Sequence, residues 1–356
     1  MSPEDLFDYI QHAAPVSNAV FRGHHFVEQD FTEASILRSD FSNCVFERCN
    51  LTTTTFVGSQ LDSARFVDCT FSATTLMKCS VRKLDLAAQT IDDLKFLGTD
   101  LTGAVFDRAI MTKCDFAQCN MQNATFTDAD IQNGAFVECD LRGLDFARSK
   151  IFRAFFTKAD LRSVGISDVD FHQVLVGEGV LDGKDLSGRM FKECGFYNGS
   201  AIGTNFTNCD LTMTGFANSN LTGARMDGVT APTAMFANAD LTGVSMRNSN
   251  LSMSVFANAI MNNADLSMST LHTAALPDIE GKNLQLNGCD VVYADLSRAD
   301  LRGASMDGLK RDVTKMHGVN DEGASSEGAY GSIVGTDDHR LVAEKYDPSR
   351  VKLADS

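Results

Sequence analysis

The stretch Cys209–Met226 reads Cys-Asp-Leu-Thr-Met, Thr-Gly-Phe-Ala-Asn, Ser-Asn-Leu-Thr-Gly, Ala-Arg-Met, and it repeats one five-residue pattern. A small residue comes first, then Asp, Asn or a variable residue, then a large apolar residue, then two turn-forming residues. We call the apolar residue the central position. The small position lies two residues before it, the preceding and following positions flank it, and the turn position lies two residues after it.

The pattern continues in one register from Phe21 to Met306, through 58 consecutive central positions. All of them hold Phe, Leu, Met, Ile or Val except Ala201, Ala231 and Gly281. An internal repeat of this length overrides the two or three globular domains that the chain length alone would suggest. The sequence therefore predicts one repetitive architecture over residues 19–311.

A period of five fits neither an α-helix nor an ordinary β-strand, whose periods are about 3.6 and 2 residues. It fits a coil in which each pentapeptide forms one side of a square, so that four pentapeptides close one turn. The central and small residues then point inward, and the other three positions face solvent. Residues 19–311 predict an all-β solenoid of about 14 coils.

The residue types at each position follow from this geometry. Small positions must fit against the next coil, and all ten cysteines fall there, which makes them small buried apolar residues. A zinc site would require close pairs such as CxxC, which the sequence lacks, so no metal or cofactor is predicted. Asp or Asn at the preceding position can hydrogen-bond the backbone of a turn; this set includes Asp100, Asp140, Asp160, Asn220, Asp240, Asn250 and Asp300. Gly at the turn position permits a positive φ.

Phenylalanine recurs every ten residues between Leu101 and Phe146, alternating with Leu, Met or Ile. In a four-sided coil this places Phe on two opposite sides, where the rings can stack at the ~4.8 Å strand spacing. The predicted structural core includes Phe106, Phe116, Phe126, Phe136, Phe146, Phe206, Leu211, Phe216 and Leu221.

The sequence resembles the pentapeptide repeat family, whose pattern is A(D/N)LXX. The resemblance is carried by segments such as Ala159-Asp160-Leu161, Ala239-Asp240-Leu241, Ala264-Asp265-Leu266, Ala294-Asp295-Leu296 and Ala299-Asp300-Leu301. It covers roughly four fifths of the chain. The resemblance implies a right-handed quadrilateral β-helix, a handedness that the period itself does not show.

Both ends depart from the repeat. Residues 1–18 predict a capping helix, with Ser2 as N-cap, Pro3 at the first helical position and an apolar face through Leu6. Residues 312–356 predict a non-repeat tail, in which Gly318 to Gly335 has the composition of a flexible linker. The remainder of the tail is either a disordered end or a docking segment, whose candidate residues are Leu341, Tyr346, Val351 and Leu353.

Two internal segments interrupt the pattern. At 177–191 the small positions hold Gly179, Lys184 and Arg189, and the charges predict a bulge or kink. At 277–284 a Gly occupies a central position, and a near copy of 181–186 lies 98 residues further on, which predicts a register slip. Both segments are either junctions between solenoid blocks or tolerated surface irregularities. Lys184 and Arg189 are candidate interaction residues.

Composition excludes several functional classes. A net charge of −16, without a basic stripe, argues against direct nucleic-acid binding. No apolar run is long enough for a membrane span, and the N-terminus lacks the features of a secretory signal. A cytoplasmic protein is therefore predicted, the resemblance implies a bacterial one, and export by a non-classical system stays open. No nucleophile, dinucleotide or Walker motif occurs, so neither an enzyme nor a catalytic residue is predicted.

Two functions remain. A rigid solenoid suits a non-enzymatic protein–protein interaction scaffold or adaptor, active as a monomer or as a homodimer through a solenoid face or end. The resemblance adds that stand-alone bacterial members occur beside secretion machinery, which implies an accessory or effector-loading protein of a type VI-like system. The alternative, also implied by the resemblance, is a DNA-mimicking inhibitor of DNA gyrase or another DNA-binding protein, although basic residues dilute the acidic surface.

Overall fold

The structure is a computed structural model that describes residues 2–344 of the chain. It begins with helix α1 (Pro3–Gln11). Ser2 caps this helix in a capping box with Asp5, and Pro3 starts it, so the predicted N-terminal helix is confirmed. Leu6 is fully buried, and the ring of Phe7 lies edge-on to Phe26 and Phe31 in the first turns of the solenoid.

The repeat array divides into two compact units. Unit 1 contains residues 1–182 and 190–200, and unit 2 contains residues 183–189 and the chain from 201 onward. Each unit is a parallel β-solenoid in which a residue pairs with the residue 20 positions later. Since the apolar residue recurs every five positions, each turn has four sides. The units together contain about 16 turns, against the 14 predicted.

Unit 1 holds three of the sheets, each running along one side of the solenoid. The first is ten-stranded and contains β1 (Val16–Ser17), β3 (Ser35–Leu37), β5 (Thr55–Val57), β7 (Thr75–Met77), β9 (Lys95–Leu97), β11 (Asp115–Ala117), β13 (Ala135–Val137), β15 (Phe155–Thr157), β17 (Leu175–Gly177) and β18 (Gly195–Tyr197), paired in that order.

The second and third sheets of unit 1 are shorter. The three-stranded sheet contains β2 (His25–Val27), β4 (Val45–Glu47) and β6 (Arg65–Val67). The five-stranded sheet contains β8 (Thr90–Asp92), β10 (Ile110–Thr112), β12 (Asp130–Gln132), β14 (Lys150–Phe152) and β16 (Asp170–His172). Unit 2 is built mainly from isolated parallel bridges, and strands β19 (Thr314–Lys315) and β20 (Ile333–Val334) pair near its end.

Aromatic rings stack along the interior as predicted. Phe116 and Phe136 lie 5.0 Å apart at an interplanar angle of 12°, and Phe106 and Phe126 lie 4.5 Å apart at 6°. These separations match the spacing between paired strands. The predicted core residues are buried in both units: Phe106, Phe116, Phe126, Phe136, Phe146, Phe206, Leu211, Phe216 and Leu221.

Many corners combine a local hydrogen bond with a left-handed residue. The Asp100 carboxylate accepts a bond from the Thr102 backbone N–H at 3.1 Å, and Asn220 accepts one from Thr222 at 2.9 Å, as the sequence predicts. The turn position adopts a positive φ whether or not it holds glycine. Lys113 has φ 54° and Met253 has φ 58°, although this region is unfavourable for residues with a Cβ.

The predicted register slip at 277–284 is wrong. Gly281 keeps the central position, and its backbone N–H donates to Asp300 O at 2.8 Å in the next turn. Leu284 occupies the small position and is fully buried. A Cβ atom at Gly281 would lie 3.1 Å from Cδ2 of Leu284 and of Leu301, so leucine side chains fill the space of the missing central side chain. The large and small residues have exchanged places.

The predicted bulge or kink at 177–191 stays a prediction. Within unit 1, Val180 pairs with Ser200, and within unit 2, Asp185 pairs with Asn205, each across the usual 20 residues. On the side of the five-stranded sheet, pairing within unit 1 ends at β16, since Asp170 pairs with Lys150 and not with Met190. The interpretation of this segment and of 277–284 as block junctions stays a prediction.

The expected linker between Gly318 and Gly335 forms another turn of the solenoid. Lys310 pairs with Tyr330, and the Asn320 N–H donates to Ala299 O at 2.9 Å. Three of the five glycines of this segment, Gly318, Gly323 and Gly328, fall at turn positions with positive φ, which explains part of the composition taken for a linker. Helix α2 (Asp338–Glu344) follows.

The exchange at Gly281 predicts a strong coupling between two substitutions. Leu284→Ala should cost about 2–5 kcal/mol, because it leaves a cavity beside a glycine. Gly281→Leu alone should cost about 1–3 kcal/mol by overpacking. The double variant restores a large central residue and a small neighbour, and we expect it to recover most of the stability lost by Leu284→Ala, measured by urea denaturation.

Leu241→Ala provides the control for this cycle, since Leu241 is a buried central residue two turns away. Its effect should add to that of Gly281→Leu, because distant substitutions act independently. If the loss in free energy of unfolding in the double variant Gly281→Leu/Leu284→Ala equals the sum of the losses in the two single variants, the exchange is contradicted.

The left-handed turn position predicts a stabilising glycine. Lys113→Gly should raise the free energy of unfolding by about 0.5–1 kcal/mol, because glycine adopts a positive φ without a Cβ penalty. Thr112→Gly, at the neighbouring residue in strand β10, should lower the free energy of unfolding by about 0.5–1 kcal/mol. Glycine relieves no strain at this position and increases the conformational entropy of the unfolded chain. Thermal denaturation of both variants checks the pair, and a loss of stability in both would exclude strain at Lys113.

Candidate interaction surfaces

The cysteines of the solenoid serve packing. All ten are free and buried, and the Cys44 thiol donates to Phe21 O at 3.0 Å. Burial raises the pKa of Cys79 to about 11 and that of Cys114 to about 12, so these thiols are neutral at physiological pH and poor nucleophiles. Within residues 2–344, no group of three or more His, Cys, Asp or Glu side chains could hold a metal ion.

Many surface carboxylates are paired with a basic residue. Arg148 Nε lies 2.8 Å from Asp128 one turn earlier, and Arg247 lies 2.8 Å from Asp227. In unit 1, the hydrogen bond from Arg142 holds the pKa of Asp140 well below its usual value. These pairs alternate the sign of the charge along the turns instead of concentrating negative charge in a stripe.

The candidate residues chosen from the sequence do not form one site. Lys184 and Arg189 lie half-buried at successive small positions at the start of unit 2, and Arg189 Nε is buried without a hydrogen-bond partner in the described part of the chain. Leu341 lies on α2 at the other end of unit 2, close to Gly318. Tyr346, Val351 and Leu353 lie outside the described residues.

The outer surface of the ten-stranded sheet carries a continuous aliphatic column. It consists of residues at the following position in six successive strands, each paired with the next: Leu37, Val57, Met77, Leu97, Ala117 and Val137. All six are half-buried. Further along the sheet, Phe155 and Leu175 are 46% and 48% exposed. We call the outer surface of β1 to β18, together with the turn residue that follows each of its ten strands, the sheet face.

Charges on the sheet face are sorted by sign along the solenoid axis. Its N-terminal half carries basic residues, namely Arg38, Lys78 and Lys95. Its C-terminal half carries acidic ones, namely Asp115, Glu138 and Glu178, with Lys158 as the exception. Lys158 Nζ lies 2.6 Å from Glu138 and lowers its pKa, whereas partial burial raises the pKa of Asp115.

Unit 2 carries a surface of different character. Over four successive turns, two adjacent sides contain no Asp, Glu, Lys or Arg except Asp210 and Asp278 at their edges. We call the part without these charges the uncharged face: residues 212–218, 230–238, 250–258 and 270–277. Met213, Met235 and Met253 are exposed there by 59%, 46% and 54%. The other two sides of the same turns carry charges such as Arg225 and Asp240, so the lack of charge belongs to one surface and not to the whole region.

Sequence reasoning with a period of five missed both surfaces, because it treated every outward position alike. Aligning the sequence in rows of 20 would have revealed them, since outward residues on one side of the solenoid then fall in one column. Neither described helix has the length or the apolar run needed to cross a membrane.

Two sequence models of one repeat family match the chain. A pentapeptide repeat region model matches residues 109–186. A model of eight pentapeptide repeats matches residues 16–48, 94–123, 191–230, 234–274 and 282–310. No curated protein matches the sequence.

Several solved structures are similar to this chain. HetL, a pentapeptide repeat protein involved in heterocyst differentiation regulation from Nostoc sp. strain PCC 7120, is 16% identical, with 92% of this chain and 94% of HetL covered and a TM-score of 0.17. QnrB1, a plasmid-mediated fluoroquinolone resistance protein, is 18% identical, with 44% and 90% covered and a TM-score of 0.31. Rfr23 from the cyanobacterium Cyanothece 51142 is 23% identical, with 33% and 90% covered and a TM-score of 0.20.

These similarities carry no conclusion about function, and the assignment depends on the sequence models and the repeat itself. The two models together match more than half of the chain. The matched segments coincide with turns that pair residues 20 positions apart. The chain therefore belongs to the pentapeptide repeat family.

Proposed function

We propose that this protein is a non-enzymatic protein–protein interaction scaffold, and the uncharged face of unit 2 is the observation that carries the proposal. The chain has a net charge of −16, yet over four turns two sides of the solenoid carry charge only at their edges, at Asp210 and Asp278. A surface with few charges and exposed methionines is typical of the buried part of a protein interface.

The uncharged face has a rigid backbone, which favours binding in addition to its composition. Its backbone is fixed by hydrogen bonds to the neighbouring turns, for example from Met235 N–H to Thr214 O at 2.9 Å. A partner therefore orders few groups on docking, and less of the interaction energy is lost to entropy. The side chains of Met213, Met235 and Met253 adapt to irregular apolar surfaces. The partner that fits is a protein with an uncharged, largely apolar docking surface.

A narrower role as an accessory or effector-loading protein of a type VI-like secretion system is part of this proposal. Its support is the family resemblance, since stand-alone bacterial members of the family occur beside such machinery. In this role the protein acts in the bacterial cytoplasm. The segment that contains Tyr346, Val351 and Leu353 would then act as a second contact, which a deletion of residues 345–356 tests without disturbing the last solenoid turn.

DNA mimicry is the competing function, and the acidic net charge is the observation that favours it. The ion pairs weigh against it, because carboxylates such as Asp128 and Asp227 each lie within 3 Å of an arginine nitrogen. A DNA mimic needs a run of uncompensated negative charge, since DNA-binding proteins bind the phosphate backbone largely through charge. We therefore expect no inhibition in a gyrase supercoiling assay, and inhibition at low micromolar protein would favour DNA mimicry.

The scaffold proposal predicts that one charge on the uncharged face abolishes partner binding. Met253→Glu should reduce capture of a partner from native cells at least about tenfold, because a carboxylate would be buried without a counter-charge. The measurement is quantitative mass spectrometry of proteins retained by the full-length chain.

Met268→Glu is the matched control. Met268 is 65% exposed and has φ 63°, so it shares the conformation and exposure of Met253 but lies on another side of the solenoid. A partner lost from Met253→Glu and retained by Met268→Glu supports the proposal. Equal capture by both variants and the wild-type chain would contradict it, and a partner from secretion machinery would support the narrower role.

A further inference from the structure

The outward charges of the sheet face of unit 1 are arranged symmetrically about its middle, and folding does not require this arrangement. The ten strands divide into five on either side of a line between β9 and β11. Apart from Lys158, the basic residues of the sheet face lie on one side of this line, and its acidic residues lie on the other. Asp93, at the turn before β9 and outside the sheet face, forms an ion pair with Lys95 at 3.0 Å. Folding of the solenoid depends on the inward residues, so this arrangement of outward charges calls for another explanation.

We infer that the sheet face binds the same face of a second copy of this chain, with the two unit 1 solenoids antiparallel. The two-fold axis lies in the interface, runs along the strands and passes midway between β9 and β11. Rotation about such an axis reverses the order of the turns and leaves each column of residues opposite itself. Two copies related in this way form an isologous interface.

The charges are complementary under this rotation. Residues at equal distances from the axis on opposite sides face each other across the interface. Lys95 then faces Asp115 of the second copy, Lys78 faces Glu138, and Arg38 faces Glu178. Each of these contacts occurs twice in the dimer. Lys158, the exception to the sorting by sign, faces Gly58 and the stem of Arg38, and its charge is compensated by Glu138 of its own chain at 2.6 Å.

Side-chain size is complementary too. Within the aliphatic column and its continuation, Leu97 faces Ala117, and Met77 faces Val137. Leu37 faces Gly177, which has no side chain. In the adjacent column of preceding positions, the exposed Phe155 and Leu175 face the smaller residues Thr55 and Ser35. Large residues thus meet small ones, which lets two flat surfaces approach closely.

The available area is sufficient for a dimer. Ten strands at ~4.8 Å spacing extend over about 45 Å, and the outward columns have a width of about 10–15 Å. Each copy therefore buries on the order of 600 Å², which places the total near the lower limit for a specific interface. The basic side chains have room to reach across, because the stems of Arg38 and Lys78 lie over Gly58 and Gly98 of the following turns.

Sorted charges allow a test by complementation. An acidic variant carries Arg38→Glu and Lys78→Glu, and a basic variant carries Glu138→Lys and Glu178→Lys. Each variant alone places like charges opposite each other, so its dimer dissociation constant should rise at least about tenfold. An equimolar mixture should form a heterodimer, because every altered residue then faces its opposite charge.

The measurement is sedimentation velocity of the full-length chain, with circular dichroism to confirm that each variant is folded. Leu97→Glu, next to the axis, should also give a monomer. Ile110→Glu is its control, since Ile110 is 50% exposed on β10 of the five-stranded sheet, and it should leave the dimer intact. High salt should weaken wild-type association.

Three results would overturn the inference. A wild-type chain that stays monomeric at every accessible concentration excludes the dimer. A dimer that survives both charge variants and Leu97→Glu must use another surface. Two monomeric variants that fail to associate when mixed exclude the antiparallel arrangement. The Met253→Glu substitution should not affect the dimer, so the result is independent of the uncharged face.

Discussion

The backbone hydrogen bond between residues about 20 positions apart determines the position of every other group in this protein. An example is the bond from the Leu101 N–H to Asn120 O at 2.7 Å, which recurs at the corresponding residues of successive turns. It fixes the length of a turn, and it accounts for nearly all the backbone polar groups that the interior would otherwise leave unpaired. The cost is a left-handed residue at the corners, which chains of L-amino acids otherwise avoid. Non-glycine residues such as Lys113 and Met253 accept that cost because the ladder on either side holds them.

The sequence predicts the interior of such a fold well and its surface poorly. Central positions such as Phe116 and small positions such as Cys114 are constrained by volume, so their residue types reveal the period. Compensated exceptions are harder to predict. Gly281 alone indicates a defect, and only the contact with Leu284 shows that the volume is conserved. The turn after Gly318 was missed for a related reason, since its central residues Asp321 and Ser326 are exposed and carry no apolar signal.

The candidate surfaces could not be predicted from the pentapeptide pattern, because folding places few demands on outward residues. Taken singly, Leu37 and Leu97 are ordinary apolar surface residues. What distinguishes them is that the residues 20 positions away, in the paired strands, are also aliphatic. The same freedom makes surface patterns informative. Neither the separation of Lys78 from Glu138 nor the absence of charge around Met253 contributes to the ladder. Such patterns therefore point to contacts outside the chain, as exposed apolar patches generally do.

The four-sided turn also has a consequence for how the length of this chain can change over time. Loss or gain of one pentapeptide would leave the interior intact but rotate all later residues by a quarter turn about the solenoid axis. Val137 would then leave the line of Leu97 and lie on a neighbouring side. Only duplications and deletions of whole turns keep an outward column in phase. The unbroken 20-residue register from Val16 to Tyr197 thus preserves a surface as well as a core.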